Sequence, residues 1–413
     1  MMKHVLVISY FFPPIYSVES TMALNSVKYL SLYGWEPTVI SAVRSEEFGK
    51  DLFVSVSFPE VKIMRTFSWE NFISRAINWL GVVSDAMFGW APFAWFAIRS
   101  ITSSLPIEAI ISRANPITSH LVAFRLKRQL GIQVPWVVLF GDPWTQNPYV
   151  KYRWPWVKPY RERIEKTILQ EADAIVVTTE LTKQLLVSKY GLADKIHVLP
   201  NTYDPAEFVN LVALPVPYTD HHQTMVLTYA GNLYGLRSPE PLFRALQIIC
   251  QKGLMSYKQI KVRLIGSVGE FTSLIDQYQL QDMVEVVGNL PRYQTLQELS
   301  HSDVLLSIDA ALPAPSIFLP AKLMDYLALN KPILAVTPVG ETANLIKRTG
   351  SGFVVSPEDP TAIALVIEEM YLLFSQGKLV TTYNKTEVNR YSALDYGKQL
   401  TTLLDQLVVS KIS

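Results

Sequence analysis

The sequence predicts an α/β protein of two halves, each a parallel β-sheet flanked by helices, and three observations carry that prediction. Short apolar, β-rich runs alternate along the chain with helical patterns of about ten residues or more, as parallel strands joined by crossovers require. A stretch rich in proline and polar residues, Val212 to Thr224, interrupts that rhythm near the middle and reads as a linker. The length, 413 residues, exceeds what one typical core accommodates, so two or three domains are expected.

In the first half the strand candidates are VLVISY, PTVIS, AIISR, WVVLF, AIVVTT and HVLP. The opening MMKHVLVISYFF places a basic residue before an apolar run, as a secretory leader does. It lacks a small-residue cleavage pattern and breaks at Pro13-Pro14, so a first buried strand is expected. Further on, Trp79 to Ile101 is hydrophobic but broken by Asp85, Gly89 and Pro92, whereas a spanning helix needs about 20 consecutive apolar residues. Its aromatics, Trp79, Phe88, Trp90, Trp95 and Phe96, are flanked by Arg75 and Arg99. They either pack inside the first domain or form a surface for contact with a membrane. In the second half the candidates are MVLTYA, VRLIG, VEVVG, VLLSI, PILAVT and GFVV, followed by a helix at about Thr361 to Gln376 and a final helical stretch.

Composition narrows the function classes. With 49% hydrophobic and 18% charged residues the chain buries substantial cores and is not disordered. Lys plus Arg number 37 against 36 for Asp plus Glu, so bulk charge does not point to nucleic acid. The single cysteine, Cys250, forms no internal disulfide and is expected to pack in a helix, in keeping with a reducing cytoplasm. No G-x-G-x-x-G follows any strand candidate, which argues against a dinucleotide-dependent dehydrogenase.

Two turns carry the chemistry. In PAPSIFLPAKLMDYLALNKPILAVTPVGE, a loop leads into a helix at Pro320, Ala321 and Lys322, where outward-facing N–H groups and the lysine can hold a phosphate. Asp325, one turn on, can accept from a sugar hydroxyl. The alternative is an ordinary amphipathic helix with a solvated Lys and Asp. Upstream, TMVLTYAGNLYGLRSPEPLFRAL runs from a strand through Gly231, Asn232 and Arg237 into a helix expected to start at Ser238-Pro239. Gly231 lets backbone approach a ligand, and Arg237 can pair with phosphate bidentately. In the first half, Asp142 ends the strand WVVLFG before Pro143-Trp144-Thr145, either as a carboxylate at a ligand-binding edge or as a turn cap. His120, in PITSHLVAF, is a second candidate or a packed residue.

These turns, in this order, resemble the retaining glycosyltransferases of family 4, whose fold, GT-B, is two Rossmann-like domains facing a central cleft. Gly231-Asn232-Leu233 followed by Arg237 looks like the family's G-R-L-x-x-x-K turn, with Asn for its Arg and Arg for its Lys. HVLVISYFFPPIYSVESTMALNSVKYLSLYGWEPTVISA, RANPITSHLVAFRLKRQLGIQVPWVVLFGDPWTQNPY, EADAIVVTTE and KIHVLPNTYDPAEF are similar to successive stretches of its first domain. The resemblance implies an acceptor domain at 1–211, a linker at 212–224, a donor domain at 225–385 and a C-terminal helix, 386–413, crossing back to the first domain.

It also implies transfer of a sugar from a nucleoside-diphosphate donor to an acceptor hydroxyl with retention. The setting implied is bacterial surface polysaccharide or glycolipid assembly, in the cytoplasm and at the inner face of the membrane. Donor contacts fall to Gly231, Asn232, Arg237, Pro320, Ala321, Lys322 and Asp325, catalytic roles to Asp142 and His120, and the acceptor loop to Pro14, Tyr16 and Ser17. No Asp-x-Asp pair or metal-ligand cluster is found, so neither metal nor other cofactor is expected. Three departures weigh against this pattern. The family pairs two glutamates across seven intervening residues, but Ile317 and Asp325 stand at those positions. Ile15, Tyr16, Ser17 and Val18 replace its paired loop glycines, and Asn232 replaces an arginine. These favour the alternative of a non-catalytic GT-B protein that binds a nucleotide sugar or a partner glycosyltransferase.

Overall fold

The computed structural model describes residues 2–15, 17–43, 61–70, 72–209, 211, 224–253, 258–311 and 315–412. Tyr16 and all of the expected linker except Thr224 lie outside them. The chain divides into two compact units, Met1–Thr202 with Ala393–Ser413, and Tyr203–Ser392.

The first unit is a seven-stranded sheet. Its strands are β1 (Lys3–Ile8), β2 (Trp35–Ala42), β3 (Lys62–Thr66), β4 (Ala109–Arg113), β5 (Trp136–Leu139), β6 (Ala174–Val177) and β7 (Ile196–Val198). They lie in the order β3-β2-β1-β4-β5-β6-β7, every neighbouring pair parallel. Alternate residues of the central strands feed two cores. Leu6, Ile8, Ile110 and Val138 face one side, and Val5, Val7, Ile111 and Val137 the other. A sheet covered on both faces needs apolar residues at every position, which is why these strands read as continuous hydrophobic runs. The last helix, Ala393–Ile412, supplies Tyr396, Leu400, Leu403 and Leu404 to the second of these cores.

β3 is the strand that sequence reading misses. It is an edge strand, KIMRT, with no buried position, so Lys62 and Arg65 bracket its only two apolar residues and the hydrophobic signal disappears. The stretch 79–101 divides between the two expectations. Trp90 is fully buried, with Nε1 donating to Thr66 Oγ1 at 2.7 Å, whereas Trp79 and Phe96 are exposed.

The second unit repeats the plan with β8 (Met225–Ala230), β9 (Ile260–Ile265), β10 (Val284–Gly288), β11 (Val304–Ile308), β12 (Ile333–Val336) and β13 (Gly352–Val355). The order is β10-β9-β8-β11-β12-β13, again all parallel. Helices Glu240–Gln251 and Pro360–Ser375 bury Leu242, Phe243, Ile363 and Ile367 in one core. Cys250 is in the first of these helices, as expected, but on its exposed side rather than packed. That helix starts at Glu240 with Pro239 at its N-cap, one residue later than expected, and Ser238 Oγ accepts from Glu240 N at 3.2 Å.

The unit boundaries fall at Thr202/Tyr203 and Ser392/Ala393, against 211 and 385 read from sequence. The short helices Pro205–Val209 and Lys385–Asn389 therefore belong to the second unit. In both sheets the strand order reverses beside the first strand, between β1 and β4 and between β8 and β11. Ligands of open α/β sheets bind outside the carboxyl ends of strands at such points.

Candidate functional site

In the second unit, β8 ends at Ala230 and turns through Gly231, whose φ of +131° suits glycine. The carbonyl of Gly231 would lie only 2.3 Å from a Cβ at Gly266, so two loops meet here backbone to backbone. Asn232 fastens them: its Oδ1 accepts from Ser267 N at 3.0 Å. The Asn232 side chain is thus engaged in holding the turn. Arg237 follows, half-buried, with its guanidinium 5.6 Å from the Tyr234 ring centroid.

Helix Lys322–Leu329 begins beside this turn. Tyr326 anchors it, donating its hydroxyl proton to the Leu306 carbonyl at 3.0 Å and accepting from Ala230 N at 3.1 Å. The N–H groups of Leu323 and Met324 bond back to the carbonyls of Pro320 and Ala321, both at 3.0 Å. The first turn is therefore partly self-satisfied, and the lysine side chain is its more effective anion-binding group. Lys322 Nζ is shielded from solvent, has no hydrogen-bond partner among the described residues, and sits 3.4 Å from the Tyr229 ring centroid. Burial, then the positive charge of Arg237, holds its pKa well below the usual lysine value, with Asp309 opposing.

Asp309, just past the end of β11, is 6% exposed, and its Oδ2 accepts from Thr337 Oγ1 at 2.9 Å. It was not anticipated, although an acid directly after the apolar run VLLSI is a recognisable sign of a strand's carboxyl edge. Lys322 thus feels the charges of both Arg237 and Asp309 at the switch point of the second sheet.

Asp325 is differently placed. Its Oδ1 and Oδ2 accept from the two terminal nitrogens of Arg292 at 2.9 and 3.1 Å. The same guanidinium is bonded by Glu207, with Nε at 3.0 Å from Oε1. Burial works against the Arg292 charge, but the two carboxylates more than offset it and hold its pKa well above the usual arginine value. Sequence reading missed Arg292 and Glu207, which come from separate elements. Ile317 offers no carboxylate at the other position of the family's acidic pair.

In the first unit, Ser17 caps the helix Val18–Val27, its Oγ accepting from Ser20 N at 3.0 Å, and Pro14 is exposed. Asp142 is exposed beyond the end of β5. Two unanticipated residues lie beside it. Glu19 Oε2 is 3.5 Å from Arg113 Nε, and both side chains come within 4 Å of where a Cβ on Gly141 would stand. Burial pushes the Glu19 carboxyl up to about 7, Arg113 opposes that shift, and Asp142 adds to it.

His120 is fully buried. Its Nδ1 is 2.8 Å from Ser112 Oγ, which also accepts from Trp136 Nε1, and its ring lies 4.8 Å from that of Phe140. Burial, then Arg113, lowers its pKa to about 3. The ring is a neutral, packed part of the core, not a group at a rim. No group of three or more His, Cys, Asp or Glu side chains able to hold a metal occurs among the described residues.

Comparison with known proteins matches residues 20–207 to the model of Glycosyltransferase Family 4 and residues 219–375 to that of Glycosyl transferases group 1. The probable glycosyltransferase WbjE of Pseudomonas aeruginosa is 23% identical over 299 residues, 67% of this chain and 69% of its own. The putative colanic acid biosynthesis glycosyltransferase WcaL of Salmonella typhimurium is 26% identical over 132 residues, 29% of this chain and 32% of its own. Among solved structures, HepE from Anabaena in complex with UDP and glucose superposes with a TM-score of 0.63 at 13% identity, covering 98% of this chain and all of its own. With matches across both halves and the doubly wound sheets of each unit, the chain belongs to the family 4 glycosyltransferases of the GT-B fold.

Proposed function

We propose that the protein transfers a sugar from a nucleoside-diphosphate donor to an acceptor hydroxyl, with retention and without a metal, in the cytoplasmic assembly of a bacterial surface polysaccharide or glycolipid. The observation that carries this reading is Lys322, whose amine is buried, without a hydrogen-bond partner among the described residues, beside the cation Arg237. A lysine amine taken out of water beside a cation carries its charge only at a cost, which an arriving anion offsets, and a leaving diphosphate is such an anion. Fixed cations at that position also stabilise the charge that develops as the sugar–phosphate bond breaks, which is the role a metal otherwise fills.

Retention follows the usual route of the family, front-face attack assisted by the leaving phosphate, and no carboxylate pair for double displacement is needed. HepE binds UDP and glucose, and WcaL is assigned to colanic acid biosynthesis, which together favour a nucleotide-sugar donor and a polysaccharide or lipid-linked acceptor. Asp142 and Glu19, at the switch-point edge of the first sheet, are proposed to face the acceptor hydroxyl.

The test is calorimetry against UDP, GDP, dTDP and CMP, followed by assays of release and transfer of the sugar from the nucleotide sugars that bind. Binding of one nucleoside diphosphate that is lost in Lys322→Met supports the donor site. Binding without any turnover, in the presence of candidate lipid-linked acceptors, would instead leave a non-catalytic nucleotide-sugar binder, the reading that Asn232 and Ile317 favour.

A further inference from the structure

Two segments distant in sequence meet in the first unit to form a surface that the donor and acceptor roles do not use. Residues 149–163 hold five basic side chains, Lys151, Arg153, Lys158, Arg161 and Arg163, against one acidic, Glu162, whereas the whole chain is balanced at 37 to 36. Glu162 is itself neutralised by Lys189 at 2.7 Å. Among these cations stand aromatic rings: Trp154 and Trp156 stack at 5.1 Å with planes 10° apart, and Trp156 is 54% exposed.

The end of helix Phe72–Trp79 completes the patch. Trp79 is 51% exposed and meets Trp154 edge-on at 5.8 Å, its carbonyl accepting from Trp154 Nε1 at 3.3 Å. The Arg153 guanidinium lies over the Trp79 ring, 4.4 Å from its centroid. Gly81, against which Val157 Cγ2 would be 2.3 Å from an added Cβ, fixes the two segments together, and the neighbouring Leu80 and Val82 remain exposed.

We propose that this patch seats the first unit on an anionic lipid surface. Tryptophan and tyrosine combine an apolar body with a polar tip, the property that places them at the boundary between headgroups and acyl chains. Lysine and arginine lay their stems along such rings while their charges reach the headgroups, so one surface carries both attractions. The charge excess selects anionic lipid over neutral lipid. This keeps the start of the stretch 79–101, Trp79 to Val82, as membrane contact, leaves out its later part, where Trp90 is buried, and adds residues 149–160. It builds on the reading that the acceptor is lipid-linked, but its test contains no sugar, so the failure of one is separable from the failure of the other.

The experiment is flotation of the full chain with vesicles of phosphatidylcholine alone and of phosphatidylcholine mixed with phosphatidylglycerol, at low and high salt. Binding is expected to the mixed vesicles and to weaken with salt. Arg153→Gln combined with Lys158→Gln should weaken partition roughly tenfold or more. Trp156→Ser should weaken it at both salt levels, because apolar burial is not screened. Phe96→Ser, on helix Ala91–Ser104, should leave it unchanged. Thermal unfolding of each variant checks that the fold survives. Equal binding to both vesicle types, or full binding by the Arg153/Lys158 variant, overturns the proposal. So does loss of binding in Phe96→Ser but not in Trp156→Ser, or a self-associated wild type that Trp156→Ser converts to monomer.

Discussion

At the scale of single residues, the proposed donor site is a balance between stability and use. Lys322 can carry its charge out of water only at a cost, with a depressed pKa and no hydrogen bond among the described residues to offset the burial. Lys322→Met keeps the stem against Tyr229 and removes that cost, so the unliganded variant should melt at or above the wild-type temperature. The same change removes a charge-assisted phosphate contact worth roughly 1.5–3 kcal/mol, so affinity for the diphosphate should fall about tenfold or more. A melting temperature several degrees lower with unchanged nucleotide affinity would make the lysine a structural residue. Asp325 should behave in the opposite way. It shares Arg292 with Glu207; truncating one partner of a buried, hydrogen-bonded charge pair costs roughly 2–5 kcal/mol, and the cost falls at or below the lower end here because this pair is only partly buried and Glu207 remains. Thermal unfolding of Asp325→Ala and of Asp325→Ala with Arg292→Met checks this. If the double variant is no more stable than the single one, the ion pair is not what holds this part of the unit.

At the scale of elements, what was legible depended on where the information lies. Strands such as VLLSI and WVVL are covered on both faces, and their apolar runs announce them; β3, exposed along one edge, does not. Lys322 and Arg237 could be read because each belongs to a local strand–loop–helix turn. Asp309, Arg113 and Glu19 reach their sites only through the order of strands in the sheet, which pairs β8 with β11 and β1 with β4 across long stretches of sequence. His120 was misplaced for the same reason: its helix was visible, but not the Ser112 and Trp136 side chains that enclose it. The turn after β8 gives a prediction of its own. Gly266 has φ +116°, and an added Cβ would strike the Gly231 carbonyl, so Gly266→Ala must open the contact that Asn232 fastens. Strain of this kind costs roughly 1–3 kcal/mol. Because the displaced turn carries Arg237, nucleotide affinity should drop together with stability. A variant that loses stability but binds nucleotide at full strength would show that the turn does not position Arg237.

At the scale of the whole molecule, the half-buried Glu19 and the buried His120 of the first unit give stability a pH dependence with opposing signs. Glu19 has its folded pKa raised to about 7 from 4.5, so the folded chain holds more protons between those values, and the stability it contributes at low pH is lost as pH rises from 4.5 to 7. His120 has its folded pKa lowered to about 3 from 6.5, so the unfolded chain holds more protons between those values, and its contribution is lost as pH falls from 6.5 to 3. Across pH 4.5 to 6.5 the two slopes oppose each other in the wild type. Glu19→Gln removes one of them. Its stability relative to wild type should therefore rise between pH 4.5 and pH 7, by on the order of 2 kcal/mol, and level off above that. Urea unfolding of both proteins at several pH values measures the difference directly, since the remaining titrating groups are common to both and cancel. Parallel curves at every pH would mean that Glu19 titrates as an ordinary surface carboxylate. The Arg113, Asp142 and Glu19 cluster would then be no more than a solvated ion pair at the sheet's edge.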